Sequence, residues 1–149
     1  MKKLLVLSAV VCLFAFLTAC NSASTDIIYK SEKFGFSLSL PSDWKDNYYV
    51  KESNDAVAIY HKGTWAKYGD GAGRLFTITV FNPKNKWEKE GKELQDMVGM
   101  KKIFENDKEV FAVSYPTDVQ SMSSDAKLSQ EYKQMEKDLA GIIMSFKLQ

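Results

Sequence analysis

The sequence predicts an α+β domain in which an antiparallel β-sheet is covered by helices and closed by a C-terminal amphipathic helix. Three observations predict it. Phe34-Gly35-Phe36-Ser37-Leu38-Ser39-Leu40 alternates apolar and polar residues with period two, the mark of a half-buried strand. Leu75-Phe76-Thr77-Ile78-Thr79-Val80-Phe81 is rich in β-branched and aromatic residues, which fit a pleated surface. Leu128, Tyr132, Met135, Leu139, Ile142 and Phe146 recur at alternating spacings of four and three, so one apolar stripe runs along the last helix.

In chain order, a basic start (Lys2, Lys3) precedes an apolar run from Leu4 to Leu17 and small residues before Cys20, the pattern of a secretory leader. The run is too short to span a hydrocarbon core of about 30 Å, which takes about 20 residues. From Asn21 to Glu32 the chain is polar apart from Ile27-Ile28-Tyr29 and reads as a tether. The boundaries that follow are a leader at 1–19, a tether at 20–33 and one domain at 34–149.

Within the domain, Phe36, Leu38 and Leu40 point into the core, and Pro41-Ser42-Asp43-Trp44 makes a turn, with Trp44 in the core. Strands are expected at Tyr48-Tyr49-Val50-Lys51 and from Ala56 to Tyr60. The stretch from Lys62 to Arg74 holds four glycines, two aromatics and three cations, and reads as an irregular loop suited to touching a partner. Asn82-Pro83 suggests a helix start, Asn as cap and Pro in the first turn, with Trp87, Leu94 and Val98 on its apolar face and Gly99 as its stop. A hairpin follows, from Met100 to Phe104 and from Glu109 to Tyr115 across Asn106-Asp107, with Phe111 and Val113 on one face.

Composition narrows the chemistry. The formal charge of +1 falls by two, to −1, once Lys2 and Lys3 leave with the leader, and that balance argues against a nucleic-acid partner. Cys12 lies inside the leader, so Cys20 stands alone and no intrachain disulfide or thiolate metal site can form. His61 is the single histidine, which removes two-histidine zinc motifs. No cofactor is expected. Gly69-Asp70-Gly71-Ala72-Gly73 lacks the following helix that a phosphate cradle needs, and Asp70 alone supplies too few oxygens for calcium. Met97, Met100, Met122, Met135 and Met144 offer sulfur to copper(I), but core filling explains most of them. Glu88, Glu90, Glu93 and Asp96 alternate with lysines as a solvated helix face. The candidate partner contacts are Trp65, Tyr68, Lys67, Arg74 and His61, with His61 read as a strand-end surface residue.

Two resemblances extend this reading. Leu17-Thr18-Ala19-Cys20 resembles the lipobox of bacterial lipoproteins, which implies cleavage before Cys20, a diacylglyceryl group on its thiol, and a chain held at the extracytoplasmic face of a cell membrane. The alternatives, a permanent transmembrane anchor or release with a free thiol, fit less well: the run is short, and an exposed thiol is a liability in an oxidising compartment. Phe34 to Trp44, with Ile142-Ile143-Met144-Ser145-Phe146 at the end, resembles the opening and closing phrases of the PsbP/Mog1-like architecture over Tyr29 to Leu148. Its motifs are structural, and its members act mainly as binding or assembly factors. The expectation is therefore a non-catalytic binding or accessory module with an envelope or membrane protein as partner. A small-ligand carrier or sensor is the first alternative and an envelope hydrolase the second.

Overall fold

The fold was taken from a computed structural model that describes residues 25–121 and 124–149. The leader, Cys20 and Met122 lie outside those residues. The chain forms two antiparallel sheets. A small one has the order β1 (Ile27–Ser31), β2 (Phe36–Leu40), β8 (Lys147–Leu148). A larger one has the order β3 (Tyr48–Glu52), β4 (Ala56–His61), β5 (Arg74–Phe81), β7 (Val110–Ser114), β6 (Lys101–Glu105). The single sheet expected from the sequence is thus two. Part of the stretch read as tether is a strand, since β1 pairs with β2 from Ile27↔Leu40 to Ser31↔Phe36.

The alternation in β2 explains how the sheets meet. Phe36, Leu38 and Leu40 are fully buried and belong to one cluster with Val57, Ile59, Phe76, Ile78, Phe111 and Val113 of the larger sheet. Phe36 meets Phe111 edge-on at 5.9 Å and stacks on Phe146 at 5.2 Å, distances at which aromatic pairs attract beyond simple burial. We call this side of the larger sheet its inner face.

The apolar stripe near the C-terminus is carried by two helices, α3 (Ala126–Glu136) and α4 (Leu139–Met144), where one was expected. At the break the bonds tighten to a three-residue reach: Lys137 N–H to Gln134 O and Asp138 N–H to Met135 O. Asp138 is held there by Trp44, whose indole N–H donates to its carboxylate at 3.0 Å. Tyr132, Met135 and Ile142 are buried on both sides of the break, so the stripe still covers the inner face. Phe146 follows α4 and leads into β8.

On the outer face, Trp87 packs with Phe81, Met100, Val110 and Ala112, and Leu94 and Val98 sit against them. The helix carrying these residues opens later than Asn82-Pro83 suggests. That peptide bond is cis, and the helix begins as a π turn at Trp87–Gly91, with Lys92 N–H reaching Trp87 O, before α2 (Lys92–Val98). Gly91 is buried under the indole, where a Cβ would fall 2.1 Å from the Trp87 ring. Gly99 stops α2 in the left-handed region at φ 65°. Of the methionines, Met100 and Met135 fill core space, whereas Met97 and Met144 are exposed.

Candidate functional site

The stretch from Lys62 that was read as an irregular loop begins with a helix, α1 (Lys62–Tyr68). Seven residues are too few to be stable as an isolated helix, so tertiary contacts must hold it. Thr64, on one side, is fully buried and packs against the backbone of Gly73, where a Cβ would come within 2.9 Å of the threonine. Gly73 takes φ 78°, a conformation open to glycine, and its carbonyl accepts the His61 N–H at 2.7 Å. On another side, Trp65 stacks on Tyr49 of β3 at 3.8 Å and 19°. Its indole N–H donates to Asp70 at 3.0 Å, and Asp70 also pairs with Lys51 at 2.6 Å.

His61 is therefore buried, contrary to the surface position expected, at 2 % exposure. It ends β4 and packs toward Tyr132 of α3, ring centroids 6.4 Å apart. Its Nδ1 lies 2.8 Å from the Thr64 hydroxyl and its Nε2 lies 3.5 Å from the Glu131 carboxylate. Burial pushes the imidazole below its ordinary pKa, and the Glu131 carboxylate partly opposes that shift. In the neutral ring one nitrogen donates and the other accepts. An ionised Glu131 favours the proton on Nε2, with the Thr64 hydroxyl donating to Nδ1.

His61 and Glu131 line a groove of about 410 Å³ between the 3-10 turn Ser42–Trp44 and α3. Trp44, Met135 and Asp43 line it along with Gln130, Glu131 and Gln134. The groove combines an apolar floor with converging amides and carboxylates, a common make-up for a binding cleft. The hydroxyl aligned with His61 belongs to Thr64, which has no exposed surface to offer a substrate. Among the described residues no three His, Cys, Asp or Glu side chains converge to hold a metal ion.

The five candidate contact residues do not form one patch. His61 faces the groove, while Trp65 lies against β3. Lys67 is drawn to α3, where its ammonium meets Asp125 at 2.6 Å; Asp125 is also the N-cap, accepting the Leu128 N–H at 3.1 Å. The Lys67 ammonium holds the Asp125 carboxyl below its usual value. It also stands 5.3 Å from the centre of the Tyr68 ring. Arg74 opens β5; its amide donates to Gln120 Oε1 at 3.0 Å and its carbonyl accepts from the Tyr132 hydroxyl at 2.8 Å. Thr64 and Glu131 were missed in the sequence. Thr64 lay in a stretch without apparent periodicity, and Glu131 reads as one more charge on the polar side of an amphipathic helix.

Compared with models of protein families, with curated proteins and with solved structures, the chain has no match.

Proposed function

We propose that this chain is a lipid-anchored extracytoplasmic protein whose domain binds a partner at the membrane surface and performs no catalysis. Anchoring is supported by Leu17-Thr18-Ala19-Cys20 standing behind a basic start and a short apolar run. No helix among the described residues is long and apolar enough to cross a membrane. Binding is supported by one observation above the others: the groove beside α3, lined by His61 and Glu131, with the hydroxyl that meets His61 fully buried beneath it. The PsbP/Mog1-like architecture belongs to the same reading. Its opening phrase supplies β2 and the buried Trp44, and its closing Ser-Phe supplies Ser145, which accepts the Ser39 amide at 2.8 Å, and Phe146 on Phe36.

The groove also favours a second reading, a small-ligand carrier, because its volume falls within the range of about 300–1,000 Å³ typical of small-molecule sites. Gln130→Trp separates the two. This exposed position on α3 lines the groove, so the indole blocks it without touching the core. Cross-linking in intact cells should recover a membrane protein with the native chain and lose it with the blocked variant. A thermal shift of the native chain by a small molecule, abolished by the same substitution, decides for the carrier. Unchanged capture in the blocked variant removes the groove from the account.

A further inference from the structure

We infer that the outward face of the small sheet lies against an anionic lipid surface and fixes the orientation of the domain, an inference that rests on lipid attachment at Cys20. Strand alternation defines the face. With Phe36, Leu38 and Leu40 turned inward, Ser37 and Ser39 turn outward, together with the residues opposite them. Ser37 pairs with Lys30 on one side and Lys147 on the other, so the two lysines stand in one row across three strands, about 10 Å apart. Both are exposed, and neither has an ion-pair partner among the described residues. Ser39 pairs with Ile28, an apolar side chain left 57 % exposed. Met144, 87 % exposed, ends α4 beside Ser145, whose hydroxyl takes the Ser39 amide. Two carboxylates, Asp26 and Asp138, lie at this edge beside Lys137; Asp26 accepts a hydrogen bond from the Ser39 hydroxyl at 2.7 Å and Asp138 one from the Trp44 indole at 3.0 Å. In the adjoining turn Glu32 is exposed, and the Lys33 ammonium donates to the Ser53 carbonyl at 2.6 Å.

The chain's own path brings lipid to this face. Five residues separate Cys20 from Asp26, so the chain between them reaches at most about 20 Å even fully extended, and Ile28 lies two residues further on. An acyl-anchored chain therefore makes the end of the domain that carries Ile28 and Lys30 the one that meets the bilayer most often. Basic side chains are attracted to an anionic surface once they come within about a Debye length of it, about 8 Å at physiological salt, and exposed apolar side chains gain by entering the interface. Since the small sheet packs on the inner face of the larger one, this docking turns the outer face, with Trp65 and Trp87, away from the membrane.

The test uses the full chain, processed and lipidated in cells and reconstituted in vesicles containing phosphatidylglycerol. Spin labels are placed by Ile28→Cys or by Lys51→Cys, an exposed site on β3. The label at position 28 should collide several-fold more with oxygen, which concentrates in lipid, than with a water-soluble nickel chelate, and the label at 51 should show the reverse. Lys30→Glu with Lys147→Glu, or vesicles of phosphatidylcholine alone, should erase most of that contrast. Equal water access at the two labels, on a chain whose mass shows the lipid on Cys20, overturns the docked orientation while leaving the anchor intact. A chain whose mass shows no lipid overturns the anchor, and the orientation with it.

Discussion

Two short helical segments lie against the larger sheet, and each sets one tryptophan against it, with different results. Trp87 is 3 % exposed and sits among Phe81, Met100, Val110 and Ala112. Trp65 keeps part of its surface in solvent. It stacks on a single tyrosine and is tied through its indole N–H to an exposed carboxylate. The first is packing of the kind that stabilises a domain, because the whole ring leaves water. The second is a contact that can be exchanged, since its aromatic face and its polar tip can each find a replacement in a partner. The α1 end of the sheet also adjoins the groove floor, through Thr64 and His61, so the loosely held region is the one next to the candidate site.

The largest expected effect tests the first half of that contrast. Trp87→Ala should lower the unfolding free energy by about 3–5 kcal/mol, the range for emptying a buried aromatic site, read from the shift in a urea unfolding midpoint. Trp65→Ala should cost only about 0.5–1.5 kcal/mol, the worth of an aromatic pair, and leave the near-UV spectrum of the remaining core intact. If the two substitutions destabilise equally, the two ends of the sheet do not differ in the way described. The smallest effect is a pH dependence at the groove floor. Burial holds the His61 pKa below 6.5 in the fold, so the unfolded chain takes up a proton first as the pH falls. Its contribution to stability is complete above the ordinary value and declines as the pH drops from there toward the folded pKa. Glu131→Gln removes the group that raises the imidazole pKa and should steepen this decline between about pH 7 and pH 5, whereas His61→Gln should flatten it. Unfolding midpoints measured across that range decide between these outcomes.

The contrast also marks where sequence stops being informative. β2 was legible because one of its faces is buried, which imposes a period of two on residue choice, and β5 because its apolar residues reach both clusters and are rich in β-branched and aromatic types. Trp44 and the stripe from Leu128 to Phe146 were legible for the same reason: apolar side chains recur wherever the inner face must be covered. The break between α3 and α4 left no local trace, because the apolar spacing continues across it and the bond that holds Asp138 comes from Trp44, far away in the chain. Helix α1 was illegible because its sequence carries no apolar period. Thr64 under Gly73 and Trp65 on Tyr49 define it, and both contacts are tertiary, made to residues outside the helix. His61 could be noticed as the single histidine, but its partner Glu131 could not, since tertiary pairing of one charge among many leaves no pattern. β1 was hidden by brevity: Ile27 and Tyr29 face inward while Ile28 and Lys30 face out, so the apolar island reads as incidental in a polar tether.

Tethering of the domain to a membrane depends on Cys20, and metabolic labelling of growing cells with a clickable fatty acid tests it most directly. The native chain should take up the label and, by intact mass, begin at a diacylglyceryl-modified Cys20, while Cys20→Ser should take up none. A labelled serine variant, or a native chain that is cut elsewhere and carries no lipid, would contradict the proposal that this domain works tethered to a membrane.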